Sequence, residues 1–307
     1  MMRWHLSVPA TSANLGPGFD MLGLALDFRL SLRAGPSSAF KLTLRGEGAG
    51  TLPGNEDNLL AASYRHACIA NGWPVMPLRI EIDNPIPISS GLGSSAAAIC
   101  IGLALAREVH GKPWDRDRML EEAIHIEGHA DNVAPALLGG LICCEWNAGV
   151  FHPRRMPISP HIRILAATPQ EQANTKAMRG ILPNPQPPGL VEHHRALAYR
   201  LLEALAHAKA EGLQISCQDR LHQPHRLARL PKANAIFEIF KNHETLAGAY
   251  LSGSGPTIGG WVLGNGDPTK HLAQALRQSG INTTLRLLRL DQDGVRREGT
   301  QDLVQPA

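Results

Sequence analysis

Pro85-Ile86-Pro87-Ile88-Ser89-Ser90-Gly91-Leu92-Gly93-Ser94-Ser95-Ala96-Ala97-Ala98 decides how the chain is read. Glycines and small polar residues lead straight into an apolar run, Ala96 to Val109, that reads as a helix capped by Ser94 or Ser95 and stopped at Gly111. Glycine lets a backbone approach a ligand closely. The first amides of a helix lack carbonyl partners and carry partial positive charge, so this junction is built for phosphate. A plain helix cap with a tight turn would need only one Ser and one Gly. The Walker pattern, Gly-x4-Gly-Lys-Ser/Thr, is absent. Gly91-Leu92-Gly93-Ser94-Ser95-Ala96 fits the relaxed dinucleotide pattern, but a Pro-rich loop precedes it and residues 112–118 do not end a second strand in an acid.

Outward from this segment, Arg3 to Val8 (ending at Pro9), Met21 to Leu32, Lys41 to Arg45 and Leu78 to Asp83 read as strands, and Leu59 to Ala70 as a helix stopped by Asn71-Gly72. Arg116 to Ile126 and a short stretch from Pro135 to Leu138 are helical, followed by a strand at Leu141 to Trp146. Residues 147–160, rich in Pro and polar groups, read as a linker or crossover. Beyond them come a strand at Ile162 to Ala167, a Pro-rich loop from Pro183 to Pro188, and helices at Leu190 to Lys209, Ala233 to His243 and Thr269 to Ser279. Strands are expected at Ala249 to Ser252, Ile258 to Val262 and Asn282 to Leu290, with a polar tail from Asp291 that frays. The pattern is α+β, with a boundary that puts residues 1–155 in one domain and 156–307 in a second.

At 307 residues, length favours two domains over a single core. A 43% apolar fraction with 19% charged residues belongs to a folded chain. The net charge of +3 is scattered, so no nucleic-acid partner is expected, and no apolar run is long enough to span a membrane. The five cysteines are an odd number at irregular spacing. They suit reduced thiols in a cytoplasmic protein and exclude a disulfide scaffold.

Three further segments carry chemistry-bearing residues. In Pro9 to Asp20, Asn14 and Asp20 lie in a Gly/Pro-rich loop after a strand. Asp20 can take an ammonium group and Asn14 a carboxylate or hydroxyl, though each also reads as an ordinary Asx-turn. Glu127-Gly128-His129-Ala130-Asp131-Asn132 gathers acid, imidazole and amide. Zinc is weighed on His125 and His129, but Gly128 falls between them and no HExxH occurs. Leu251 to Thr257 is a glycine turn whose amides could close over phosphate, or a plain hairpin.

Together these segments resemble the GHMP kinases, and the Pro9–Asp20 segment resembles the homoserine kinase version of the family's N-terminal motif. The match lies in Pro87-x-x-x-Gly-Leu-Gly-Ser-Ser-Ala-Ala97, Pro9 to Asp20, His129 to Gly140 and Leu251 to Thr257, in register over nearly the whole chain. The resemblance implies a ribosomal-protein-S5-domain-2-like N-terminal domain, a ferredoxin-like C-terminal domain and a site between them. It implies transfer of the ATP γ-phosphoryl group to the hydroxyl of L-homoserine, on the route to threonine. ATP is assigned Asn58, Pro87, Ser89, Ser90, Gly91, Leu92, Gly93, Ser94, Ser95, Ala96 and Ala97, although Asn58 equally reads as a helix cap. Mg²⁺ is assigned Ser95 and Glu127, with Glu121 and Glu122 as competitors. Homoserine is assigned Asn14, Asp20, His129, Thr175, Arg179, Arg226 and Gly255, and the reacting hydroxyl Asp131 and Asn132, with Arg179 shielding developing charge. Ala130 departs from the commonest His-Pro-Asp-Asn form. A homodimer is what the family suggests. Two rivals remain: a GHMP kinase for threonine or mevalonate, and a non-catalytic nucleotide-binding regulator on the same fold.

Overall fold

The computed structural model describes residues 2–171, 173–183 and 189–299. Strands β1 (Trp4–Ala13) and β2 (Leu22–Pro36) pair antiparallel and form the spine of a seven-stranded sheet. The second half of β2 also borders β4 (Leu78–Asn84), which runs parallel to β3 (Lys41–Gly46) through the crossover helix α1 (Leu59–Ala70). The first half of β2 borders β5 (Leu141–Asn147), and β6 (Val150–Met156) completes that side. Helices α2 (Ser94–Val109), α3 (Arg116–Glu127) and α4 (Val133–Leu138) lie between β4 and β5 in the chain. The α2 helix is apolar nearly all round because it is buried against β1, α1, α3 and α4. At Gly102 a Cβ would lie 2.5 Å from the Leu60 carbonyl, so glycine there sets how closely α1 and α2 approach.

The second sheet has the order β10-β7-β9-β8, all antiparallel: β7 (Ile162–Pro169), β8 (Ala249–Leu251), β9 (Ile258–Leu263) and β10 (Thr283–Leu288). Its helices are α5 (Thr175–Gly180), α6 (Leu190–His207), α7 (Ala210–Leu213), α8 (Gln223–Leu227), α9 (Pro231–Lys241) and α10 (Thr269–Gln278), with a 3₁₀ turn at Gln214–Gln218. Successive strand residues point to opposite faces, and both faces of this sheet are covered. Leu165, Ala167, Ile258 and Val262 join a core with α9 and α10. Ile164, Ala166, Tyr250 and Trp261 join α6 in the core that continues under the first sheet.

Several expectations are corrected. Pro9 does not end the first strand, which runs on to Ala13 with a register shift between Pro9 and Ala10. Residues 147–160 are not simply a linker, since β6 occupies Val150–Met156. Its Pro153 is tolerated because β6 is an edge strand. The N-cap of α2 is neither Ser94 nor Ser95 but Gly93, left-handed at φ 69°, with no side-chain cap bond. Short helices α5, α7 and α8 were not expected. The tail does not fray at Asp291, for β11 (Arg296–Arg297) pairs with β1. Of the Pro-rich loop expected from Pro183 to Pro188, residues 184–188 lie outside the described residues.

Candidate functional site

The start of α2 faces a cavity of about 290 Å³. Gly91 and Gly93 have φ of +82° and +69°. A Cβ on Gly91 would sit 2.2 Å from the Ser252 carbonyl, and one on Gly93 1.9 Å from Thr11 Oγ1, so only glycine fits either place. Ser89, at φ 52°, holds a backbone conformation unusual for a side-chain-bearing residue.

Three of the four motif segments converge here through main-chain bonds, and the fourth, Glu127 to Asn132, joins them through the Ser95 and Thr11 side chains. Thr11 N donates to Leu92 O at 3.1 Å, Gly253 N to Ala13 O at 3.0 Å and Thr257 N to Ser90 O at 3.0 Å. Ser252 Oγ donates to Gly91 O at 2.6 Å and lies 2.7 Å from Ser12 Oγ. The cavity wall therefore contains Asn14, Asp20, Asn58, Ser89, Ser90, Gly91, Gly93, Ser94, Ser95, Glu127, His129, Asp131, Asn132, Arg179 and Arg226. Pro87, Leu92, Ala96, Ala97 and Gly255 stand behind it. The Pro87 carbonyl accepts from Ser90 Oγ at 2.8 Å. Leu92, Ala96 and Ala97 are core, and a Cβ on Gly255 would strike Leu230 and Leu251. Thr175 opens α5, and its side chain lies outside the described residues.

At one end the wall is apolar, with Leu30, Leu44, Leu52, Leu59 and Ile82. Asn58 sits there as the N-cap of α1: its Oδ1 accepts from Leu60 N at 3.1 Å and its Nδ2 donates to Pro53 O at 2.9 Å. Next to the α2 start, Ser95 Oγ donates to Glu127 Oε1 at 2.6 Å. Burial pushes the Glu127 carboxyl above its ordinary range; Ser95 and His129 pull it back in part, and the Asp131 charge adds to the rise. A half-buried carboxylate beside a hydroxyl, at the mouth of a phosphate-type helix start, is an oxygen donor set that fits Mg²⁺. Glu122 is not available for this. It is buried against Arg107, whose Nη1 and Nη2 lie 3.2 and 3.3 Å from its oxygens, and neither Glu122 nor Glu121 lines the cavity.

Deeper in, His129 Nδ1 lies 2.7 Å from Asp131 Oδ1. Burial opposes charge on this imidazole, but the Asp131 bond and the Asp131 and Glu127 charges outweigh it and raise its pKa. Thr11 Oγ1 donates to Asn132 Oδ1 at 2.8 Å, while Asn132 Nδ2 lies 3.4 Å from Asp131 Oδ1. Thr11 was missed in the sequence. Its only signal was a polar residue within a buried strand beside the motif loop.

The other end is charged. Arg179, on α5, grips Asp20 with two bonds of 2.6 and 2.8 Å. Arg226, on α8, is almost fully buried and donates to Gly253 O at 2.8 Å and to Met178 O at 3.3 Å. Burial and the nearby Arg179 charge lower its pKa to about 10. Both guanidiniums lie over the Phe19 ring, at 5.7 and 5.2 Å. Asn14 shapes this corner, with its Nδ2 donating to Gly253 O at 3.0 Å and its Oδ1 accepting from Asp20 N at 3.0 Å.

Comparison with known proteins follows the same lines. The family model for the GHMP kinases N terminal domain matches residues 58–140. A homoserine kinase of Moorella thermoacetica is 35% identical over 92% of this chain and 95% of its own length. One of Thermus thermophilus is 38% identical over 83% and 85%. Among solved structures, a homoserine kinase of Cytophaga hutchinsonii superposes with a TM-score of 0.83 at 24% identity, covering 96% of this chain and 97% of that one. A mevalonate kinase of Methanococcus jannaschii shares the fold at a TM-score of 0.71 and 16% identity, over 94% and 98%. By motif, architecture and kinship, the chain belongs to the GHMP kinases and, among them, to the homoserine kinase family.

Proposed function

We propose that the protein is an ATP-dependent homoserine kinase, forming O-phospho-L-homoserine for threonine biosynthesis. The observation that carries this reading is one cavity in which a phosphate-type helix start, the Ser95–Glu127 pair and a zwitterion-shaped charge set of Asp20, Arg179 and Arg226 meet. The apolar end beside Asn58 receives the adenine, and the amides between Gly91 and Ala97 receive the triphosphate. Ser95 and Glu127 would hold Mg²⁺, which neutralises phosphate charge when bound. Asp20 takes the homoserine ammonium, and Arg179 and Arg226 take its carboxylate, as a planar fork suits. For this Arg179 must give up part of its bond to Asp20, and the zwitterion supplies replacements for both. Arg179 then also shields charge developing on the phosphoryl group. His129, Thr175 and the Gly255 turn complete the homoserine site in this reading. Asp131 and Asn132 orient the hydroxyl.

An amide cannot act as a base, and Asp131 Oδ1 is already shared by His129 and Asn132. In this reading the hydroxyl proton leaves late, to phosphate or solvent. Asp131→Asn should lose about tenfold or less in turnover with an unchanged pH profile, whereas a loss above about 10⁴ would restore a general base. The overall reading is tested by coupled ADP release with L-homoserine against D-homoserine, L-threonine and mevalonate. Faster turnover of either of the last two overturns it.

The same reading assigns residues 1–155 to an ATP-binding unit and 156–307 to a second one, with limited proteolysis near residue 157 as its check. Kinship supports a homodimer, which sedimentation tests. Five cysteines without a disulfide suit the cytoplasm, and no described helix is long and apolar enough to cross a membrane.

A further inference from the structure

Arg226 is an unusual group to bury, and, besides the Gly253 carbonyl, part of what holds it lies outside the cavity. His222 precedes it by one helical turn, fully buried at 0% exposure, and does not line the cavity. Its Nε2 lies 2.9 Å from the Gly16 carbonyl, which can only accept, so Nε2 carries the proton. The other ring nitrogen, Nδ1, then carries a lone pair, and 3.4 Å away stands Arg226 Nη1, which can only donate. The two contacts demand the same tautomer. Phe19 stacks on the imidazole at 5.2 Å, on the ring that also underlies the Arg226 guanidinium.

The backbone behind His222 is fixed as firmly. Asp219 accepts from the amides of Leu221, His222 and Gln223 at 3.0, 3.1 and 2.6 Å and pairs with His194 Nε2 at 2.9 Å. Burial lowers the His222 pKa, the Asp219 charge works against that, and the Arg226 charge adds to it, which agrees with an imidazole whose Nδ1 faces a cation.

We infer that His222 is a positioning residue for the reaction: its imidazole ties the Gly16 turn to Arg226 and holds the guanidinium where the amino-acid carboxylate binds. The inference rests on the homoserine kinase reading and deepens it. It assigns the specificity of the carboxylate end to a side chain that touches no substrate. It also explains why the Asn14–Asp20 loop and α8, distant in sequence, are joined by a histidine rather than by an apolar residue.

The test uses the whole enzyme and Michaelis constants, which do not depend on the fraction of protein folded. His222→Gln keeps a donor for the Gly16 carbonyl but has no acceptor opposite Arg226. His222→Asn keeps an acceptor opposite Arg226 and loses the donor. The expected result for His222→Gln is a rise of about tenfold in the KM for L-homoserine with the KM for ATP unchanged, and for His222→Asn a homoserine KM restored to within about threefold of wild type. Equal rises in both constants, an unchanged homoserine KM in His222→Gln, or an Asn variant worse than Gln would overturn the inference. If neither variant folds, Phe19→Leu, which removes the shared ring, is expected to show the same homoserine-confined rise, and its absence is equally fatal. Wild-type enzyme that phosphorylates no L-homoserine would instead overturn the function and this inference together.

Discussion

Two glutamates five positions apart on α3 have opposite tasks, and nothing in their identity says which is which. Glu122 neutralises Arg107, buried at 2% exposure, while Glu127 meets the Ser95 hydroxyl and the His129 imidazole. Glu127→Gln removes a carboxylate that burial already disfavours, so it should leave the urea midpoint unchanged or raised while cutting kcat/KM about 10²- to 10³-fold. Glu122→Gln should leave kcat/KM of the folded enzyme intact but cost about 3 kcal/mol, because the buried Arg107 guanidinium loses its paired carboxylate. The sequence left Glu121, Glu122 and Glu127 open because the deciding contacts, to Arg107 and Ser95, come from a different helix. Motif residues such as Asn14, Asp20 and Asn132 were legible, but their supports, Thr11 and Phe19, were not. A supporting residue has no signature apart from its partner.

Asp219 gives the pH dependence at this scale. Burial would raise its pKa, but His222, His194 and the amides of Gln223 and Leu221 outweigh it and pull the group down to about 2. A depressed carboxylate contributes stability above its ordinary pKa and loses it as the pH falls toward the folded value. Asp219→Asn should therefore cost about 2 kcal/mol at pH 7, and its gap from wild type should begin to close below about pH 4. Urea midpoints measured from pH 7 to 3.5 check both, and a gap that widens toward acid would contradict the assignment.

Among the elements, α2 was the most legible and its first residue the least. An apolar run of small residues after a Gly/Ser loop announced the helix. The cap was misplaced because Ser is the commoner capping residue, whereas here a left-handed Gly93 starts the helix and leaves the serines on its first turn. That geometry separates two kinds of glycine. Gly111, at φ +61°, has open space where a Cβ would lie, so Gly111→Ala should cost about 1 kcal/mol in strain with kinetics unchanged. Gly93→Ala adds a collision with Thr11, which itself holds Asn132. It should raise the KM for ATP at least about tenfold and lower turnover too, since one shift disturbs both the phosphate cradle and the hydroxyl site. Thermal melts beside initial rates distinguish the two. Strand β6 escaped reading for the reverse reason: an edge strand tolerates the proline and charges that normally argue against a strand.

For the whole molecule, the α+β class was readable from element order, but the way the ends close was not. The polar tail from Asp291 was expected to fray, yet Asp291 is buried against Arg29 of β2 and its Oδ1 accepts the amides of Asp293 and Gly294 at 3.1 and 2.8 Å. Asp291 N donates to Ala25 O at 3.0 Å, and Gly140 N donates to Asp291 O at 2.7 Å, so the last described stretch is stitched to the first sheet rather than to the sheet that precedes it in the chain. The Arg29 side chain is 10% exposed and that of Asp291 3%, so screening by solvent is weak. Removing the acid leaves a buried guanidinium without its paired carboxylate, and Asp291→Ala should cost about 3–5 kcal/mol. Replacing both partners with apolar residues, Arg29→Met with Asp291→Leu, should cost much less, because the desolvation penalty disappears with the charges. Neither residue lines the cavity, so kcat/KM per folded molecule should stay within about twofold of wild type in both variants. A double variant as unstable as Asp291→Ala would show that the tail is held by its backbone bonds and not by this ion pair.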